Sequence, residues 1–359
     1  MADMKARGPL IIGGGPAGAA AAIRLAQAGA RPVILERTIG PHDKVCGDFL
    51  TAEVLSALTS LGLNLSPLTP APIREVRIIR GGQLATATLP FPAVGLSRRA
   101  LDEALLARAA VSGAAVHRGV IVRSLRQERR TFHAATATGS LATETVFLAT
   151  GKHDLRGATR PRSRRTVGLK AYVRLAPGEL AALGEAVEIV LVSGGYAGLQ
   201  MIEGGAAVLC ALLTDARSPC GGIPRLVACT PHLQRRLQGA TWLTARPLAV
   251  AGMPYGYVAR PDGVFRLGDE AAVIPSFTGA GVAIALATGA AAAETYLASQ
   301  NAEAFQRQVA TSVARPVRLA GALHQALTNP ALQEIAFEVA RTWPGLIRWA
   351  ARATRTSVG

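Results

Sequence analysis

Residues 9 to 37 read PLIIGGGPAGAAAAIRLAQAGARPVILER, and this stretch decides the architecture. The apolar run Leu10 to Ile12 predicts a short buried strand. Gly13, Gly15 and Gly18 follow in the pattern GxGxxG. Ala19 to Ala28 predicts a helix with small residues facing a sheet, capped by Gly29. Val33 to Leu35 predicts a second strand, ending at Glu36. Gly13 permits a tight turn, Gly15 lets the backbone approach a pyrophosphate, and Gly18 lets helix and strand pack closely. The helix N-terminus offers N–H groups and a positive dipole end to phosphate. Glu36, roughly 20 residues on, is placed to accept hydrogen bonds from a ribose diol. GxGxxG alone is a weak signal; between a strand and a helix, with the acid after the second strand, it specifies a dinucleotide site. It does not separate NAD from FAD.

A second signature does. Residues 264 to 289 read VFRLGDEAAVIPSFTGAGVAIALATG. Val264 to Leu267 predicts a strand leading into Gly268-Asp269. Pro275, Gly279 and Gly281 then open a small-residue helix from about Val282. An Asp at a strand end suits ribityl hydroxyls. A glycine-opened helix N-terminus suits the flavin pyrimidine edge, where its dipole favours negative charge. With Gly13-x-Gly15-x-x-Gly18, Glu36 and the helix start Arg98-x-x-Leu101-Asp102, these pieces resemble the FAD-dependent oxidoreductases of the p-hydroxybenzoate hydroxylase fold. That superfamily includes flavoprotein monooxygenases and geranylgeranyl reductases. The pieces span most of the chain in the expected order. The resemblance implies FAD, with Glu36 on the adenosine ribose, Arg98 at the ribityl–phosphate region and Asp269 on the ribityl chain. It also implies cofactor positions at Pro16, Ala17, Arg37, Lys44, Cys46, Gly47, Val122, Thr150, Gly151, Ala280 and Val282.

The expected fold is α/β: a Rossmann-like FAD-binding domain with an inserted antiparallel β-sheet substrate domain and C-terminal helices. The FAD domain is discontinuous, using residues 1–70, 95–155 and 259–300. Residues 71–94 and 156–258 form the substrate domain, and 301–359 the helical tail. SRRALDEALLARAAVSG (97–113) has helical apolar spacing. AAVHRGVIVRSL, TFHAATATG and TETVFLATG read as strands, a β-meander followed by a return to the parallel sheet. REVRIIRGGQLATATLP (74–90) reads as a hairpin turning at Gly81-Gly82. GLKAYVRL (168–175) and residues 187–213 extend an antiparallel sheet with one face free to wall a pocket. Lys170, Tyr172, Tyr196, Gln200 and Met201 are candidates for that wall, as are Tyr255 and Tyr257, although packing is the plainer reading of any one of them.

The chain has 359 residues, half hydrophobic and only 4% aromatic, the profile of a soluble α/β enzyme. Gly279 to Ala293 is the nearest approach to a charge-free apolar span and stops at Glu294, so no transmembrane helix is expected. Lys5 and Arg7 precede an apolar run, but its glycines and proline fit the dinucleotide turn rather than a signal peptide. Four cysteines without CxxC spacing imply reduced thiols and a cytoplasmic location. No metal-ligand pattern stands out.

The net charge of +16 implies either an Arg-rich solvated surface or an anionic partner. Arg123, Arg126, Arg129 and Arg130 flank a hairpin; Arg156, Arg160, Arg162, Arg164 and Arg165 share a loop. No aromatic-interleaved basic platform is present, so nucleic acid is not an expected partner. The tail pairs Trp343 and Trp349 with Arg341, Arg348, Arg352 and Arg355. It reads as a helix packed on the FAD domain with an Arg-rich outer face, or as an amphipathic helix making peripheral membrane contact.

No Ser-His-Asp order or HExxH motif is present, so the flavin carries the reaction, on a small molecule that is lipophilic in some readings. The first reading is a monooxygenase, hydroxylating an aromatic or polyketide-type molecule through a flavin C4a-hydroperoxide with NAD(P)H as electron donor. Against it, Gly151-Lys152-His153-Asp154-Leu155-Arg156 lacks the Asp-Gly that many hydroxylases of this fold carry here; the basic loop is then left to attract nicotinamide phosphates or a reduced protein partner. The second is a reductase of isoprenoid or lipid double bonds. In KVCGDFL (44–50), Cys46-Gly47 resembles the cysteine–glycine loop of geranylgeranyl reductases, with Asp48 where that loop tends to have glycine. Asp48 is expected at the pocket or at the start of the helix TAEVLSALTSLG. Cys46 lines the pocket, packs, or acts as a thiol near Lys44. Cys46 and Tyr196 are the catalytic candidates.

Overall fold

The computed structural model describes residues 4–5, 8–161, 166–214 and 222–355. Lys5 and Arg7 as side chains, and Arg162, Arg164 and Arg165 of the basic loop, lie outside the described residues.

The first layer is a five-stranded parallel sheet. Its order is Phe265–Arg266, Val146–Leu148, Leu10–Ile12, Val33–Glu36, Ala115–Arg118. The two-residue period of a strand sorts its side chains. Ile11, Ile34, Phe147 and Phe265 face the helices Pro16–Gln27, Arg98–Val111 and Gly281–Ser299. Leu10, Ile12, Leu35, Val146 and Leu148 face a three-stranded meander, Ser124–Glu128, Thr131–Ala135 and Ser140–Thr143. Both faces are covered, which is why these strands are hydrophobic without alternation. The stretch expected as one strand from Ala114 is broken at Gly119, which has φ +73, into Ala115–Arg118 and Ser124–Glu128.

Small residues let the helices close up. A Cβ on Gly18 would lie 2.0 Å from Gly13 O, and one on Gly289 would lie 2.3 Å from Ala17 O. Gly281–Ser299, at 19 residues, is long and apolar enough by length and composition to cross a membrane, which the count of strongly apolar residues did not suggest. Here its alanines and glycines pack against Pro16–Gln27 in the core.

The second layer is a nine-stranded sheet. Along its main path the order is Thr241–Trp242, Val167–Arg174, Ala207–Leu213, Gly195–Met201, Ala186–Val192, Ala71–Arg80, Gln83–Gly95, Phe49–Thr51, with Leu248–Ala251 also on Val167–Arg174. It is antiparallel except where Ala186–Val192 runs parallel to Ala71–Arg80. Phe49–Thr51, in the first FAD segment by sequence, is hydrogen-bonded to Gln83–Gly95 and joins this sheet.

The tail packs on both layers. Phe305, Val309, Val313 and Val317 of Ala302–Thr328 enter the core of the first. Pro330–Thr342 and Pro344–Ala353 then turn over the second, where Phe337, Ala340 and Ile347 meet Val76, Ala85 and Ala87. Gln333 Nε2 fastens this turn by donating to Val192 O and Gly195 O, each at 3.1 Å.

Candidate active site

The GxGxxG turn makes an anion cradle. Gly13 has φ +108, and a Cβ there would lie 2.3 Å from Ala149 O. Gly15 caps Pro16–Gln27 without a side-chain hydrogen bond, leaving first-turn N–H groups for a ligand. A Cβ on Gly15 would meet Arg98 Nη2 at 3.6 Å and Lys44 Nζ at 3.9 Å. Both cations are held by buried Asp102. Arg98 donates to Asp102 Oδ1 at 2.7 Å and Oδ2 at 3.0 Å, and Lys44 Nζ lies 3.0 Å from Oδ2. Burial raises the Asp102 carboxyl, but Arg98 and Lys44 outweigh it and the pKa is lowered. Asp102 entered the sequence reading only as part of a helix start; its i,i+4 spacing from Arg98 was the available signal.

Glu36 is buried. It accepts from Gly14 N at 2.8 Å and Thr38 N at 3.0 Å. Burial raises its pKa, but Lys44 and those N–H groups lower it further. A carboxylate offers about four acceptor positions, so lone pairs remain for a ribose diol. Arg37 beside it is exposed, and Val122 packs with the meander core. The open approach at Gly15, the uncapped helix, the paired cations and the ionised Glu36 together fit FAD.

At the far end, Gly268 has φ +58 and its N–H donates to Thr288 Oγ1 at 2.9 Å. Gly279 has φ +65, and a Cβ there would lie 2.5 Å from the Phe49 ring. Asp269 is half-buried; its carbonyl accepts from Arg160 Nη1 at 2.7 Å. Sequence reading missed the buried acid next to it. Glu270 accepts from Arg266 at 3.0 Å and from the Thr150 hydroxyl, with Arg160 at 3.7 Å. Burial raises its carboxyl against the pull of Arg160 and Arg266. Arg160 is itself buried and also donates to Asp154. It is therefore occupied within the fold, and is not the exposed attractor of nicotinamide phosphates that the loop composition suggested.

The KVCGDFL loop is clamped to the second sheet. Asp48 adopts φ +55 and is fully buried. Its Oδ2 accepts from Lys170 Nζ at 2.6 Å and Tyr172 OH at 2.8 Å, and its Oδ1 from Arg98 N at 3.2 Å. Lys170 also donates to Lys44 O at 3.0 Å, Gln200 to Asp48 O at 3.1 Å, Cys210 to Cys46 O at 3.1 Å, and Lys152 to Val45 O. Asp48, Lys170 and Tyr172 thus hold the loop and do not line the cavity beside it. Asp48 was expected at the pocket from the loop resemblance, and Lys170 and Tyr172 from the free face of the sheet, but their contacts with one another bury all three.

That cavity has a volume of about 400 Å³. Cys46, Gly47 and Gly279 line it, with Tyr196, Gln200 and Tyr255 from the candidate wall. Met201 is one residue out of phase and packs into the opposite core with Ala197 and Leu199; Tyr257 does not line it. Val76, Ile78, Leu89 and Val187 make the sheet wall, and Val339, Leu346 and Ile347 of the tail cover it. The hydroxyls in it satisfy one another: Tyr196 OH lies 3.0 Å from Ser276 Oγ, Tyr255 OH donates to the same oxygen at 3.2 Å, and Phe277 N donates to Tyr196 OH. Burial pushes the Tyr196 phenol up, the Tyr255 phenol to about 12 and the Cys210 thiol to about 12. Arg355 donates to Thr278 O and lies 4.7 Å from the Phe91 ring centroid. Cys46 sits where the cavity meets the Arg98 guanidinium.

Residues 9–147 match the family model described as FAD binding domain. A menaquinone reductase of Mycobacterium tuberculosis is 26% identical over 345 residues, covering 89% of this chain and 84% of that one. The flavin-dependent brominase Bmp2 superposes with a TM-score of 0.78 at 18% identity, over 96% of this chain and 92% of that one. A geranylgeranyl bacteriochlorophyll reductase-like protein from Thermoplasma acidophilum gives 0.73 at 17% identity, over 100% and 94%. The family model supports an FAD-binding domain over residues 9–147, and the structural similarities give the chain the fold of these flavoproteins.

Proposed function

We propose that this FAD-dependent oxidoreductase of the p-hydroxybenzoate hydroxylase fold reduces a double bond of a long apolar substrate of the isoprenoid or quinone-lipid class. One observation carries the reading: a cavity of about 400 Å³ walled mainly by hydrocarbon, whose Tyr196, Ser276 and Tyr255 hydroxyls are already bonded to one another. A phenol buried there unpaired would cost about 1–3 kcal/mol. An alkyl chain gains roughly 25 cal/mol for each Å² removed from water. The 26% identity to a menaquinone reductase supports the same class.

FAD, when bound, supplies the electron pair. Gly15, Lys44 and Arg98 would hold its pyrophosphate and Glu36 its ribose. The clamp from Lys170, Tyr172, Gln200 and Lys152 fixes Cys46 and Gly47 at the cavity wall. Gly47 has nothing within 4 Å of where its Cβ would stand, so the substrate can approach the loop closely. The tail helices keep water out. NAD(P)H is the proposed donor, and a cytoplasmic location the proposed setting.

Arg355 Nη1 favours a second reading, hydroxylation, because it is buried at the cavity without a hydrogen-bond partner among the described residues and offers a donor to a phenol oxygen. The holoprotein reduced with dithionite and mixed anaerobically with an isoprenoid alkene decides between them. The expected product gains two hydrogen atoms. A product formed only with oxygen present, and carrying a new oxygen atom, would establish the hydroxylase instead.

A further inference from the structure

The tail helix Pro330–Thr342 has two apolar faces, and the fold buries one. Phe337 and Ala340 enter the core, whereas Leu332, Ile335 and Val339, at i, i+3 and i+7, face solvent. The exposed stripe continues through Trp343 (68% exposed), Leu346 and Trp349 (52%). Six of the 14 exposed large hydrophobic residues among those described fall between 332 and 349, so this is a patch and not scatter. Val339 and Leu346 belong both to the stripe and to the cavity lining. The apolar surface therefore reaches the cavity mouth.

Charge selects the occupant. From 339 to 359 the chain has arginines and no acid. The acids on the helix before them are paired, Glu334 with Arg80 at 3.4 Å and Glu338 with Arg341 at 2.7 Å. Arg348 and Arg352 are exposed on Pro344–Ala353. A second copy on this face would set arginines against arginines, because a two-fold contact repeats the same patch. An anionic lipid surface matches both properties, with tryptophans at the headgroup level and arginines on the phosphates.

We infer that the face formed by Pro330–Thr342 and Pro344–Ala353 docks on anionic lipid bilayers and opens the cavity to substrate drawn from the membrane. The site of entry rests on the proposed lipid substrate; the docking does not.

The test is flotation of the FAD-loaded full chain with phosphatidylcholine vesicles, with and without phosphatidylglycerol. The protein is expected to partition at least about tenfold better onto the anionic vesicles, and to release in about 0.5 M salt. Trp343→Ser/Trp349→Ser should lower partition to both vesicles by about tenfold or more. Arg348→Gln/Arg352→Gln should remove only the anionic preference. None of these four residues lines the cavity, so turnover of a short soluble isoprenoid without vesicles, flavin content and circular dichroism should stay at wild-type values. Wild-type protein that floats with neither vesicle, or variants that float like wild type, would overturn the inference. So would a vesicle-free dimer that the Trp→Ser variant dissolves, which would give the face to a second copy. Vesicle binding without alkene reduction would sink the proposed reaction and leave the docking standing.

Discussion

Gly15 and Gly18 stand in the same turn, yet a methyl group would cost them different things. At Gly18 it would lie 2.0 Å from Gly13 O and 3.0 Å from the Ile11 side chain. Strand and helix must part, so Gly18→Ala should destabilise the flavin-free protein by about 1–3 kcal/mol. At Gly15 the nearest atom is Arg98 Nη2 at 3.6 Å, which leaves the fold comfortable. Gly15→Ala should keep the apoprotein's Tm while flavin affinity falls about tenfold or more, because the methyl stands where the pyrophosphate approaches. Thermal melts and a flavin fluorescence titration separate the two effects; full affinity in Gly15→Ala would remove the cradle from the cofactor site. Asp48 makes a different case. Removing Lys170 leaves a fully buried carboxylate without its cation, at a cost of about 3–5 kcal/mol. Burial already pushes the Asp48 carboxyl up against Lys170. Without that cation, protonation relieves it. A raised acid contributes stability at low pH that is lost as pH climbs through its folded pKa. The stability deficit of Lys170→Met, measured by urea unfolding, should therefore widen as pH rises above the ordinary Asp pKa of 3.8.

The strand Gly195–Met201 shows how an element divides its labour. Ala197, Leu199 and Met201 pack under the sheet, while Tyr196, Gly198 and Gln200 line the cavity. A Cβ on Gly198 finds only Glu188 O, at 4.0 Å. Gly198→Phe should therefore fold normally and fill the cavity. Turnover of a long isoprenoid should fall about tenfold or more, with flavin content unchanged and a short homologue retained, since the ring takes up volume and removes no partner. Equal loss for both chain lengths would mean the cavity does not hold the chain. Elements of this kind were legible because their signals are local. Gly81-Gly82 marks the hairpin, the strand period marks the sheet, and GxGxxG followed by Glu36 marks the cradle. The clamp was not, because Lys170 and Tyr172 lie 122 and 124 residues from Asp48, and spacing along the chain carries no trace of that meeting. Met201 was misplaced for a smaller reason: one step of register exchanges the two faces of a strand. The Trp/Arg tail was read as a helix on the FAD domain, whereas its last two helices pack on the second sheet at Ala71–Arg80 and Gln83–Gly95.

At the scale of the whole molecule, where the net charge is +16, one buried carboxylate gathers cations that tie two helices to the sheet. Glu188, fully buried on Ala186–Val192, accepts from His232 at 2.7 Å and from Arg236 at 2.7 Å, while Arg236 also reaches Glu179 at 2.7 Å. The cluster ties the helices Pro177–Leu183 and Pro231–Arg236 to the sheet on the side away from the cavity. Burial raises the Glu188 carboxyl, but the hydrogen bonds from His232 and Arg236 outweigh it and bring the pKa to about 2, from 4.5. A depressed acid stabilises the fold above its unfolded pKa and loses that contribution as pH falls through the folded one. The shift corresponds to about 3 kcal/mol. Glu36 and Asp102 are lowered in the same direction, so acid should weaken the sheet and the cofactor cradle together while mutual repulsion among the arginines grows. Urea unfolding of the wild type should show stability falling between about pH 4.5 and about pH 2. Glu188→Gln should start lower at neutral pH, fall less steeply, and meet the wild type at the acid end. Two curves that stay parallel down to about pH 2 would take Glu188 out of the acid response and leave it to the cradle, where added FAD would then protect the protein from acid and the Glu188 substitution would not matter.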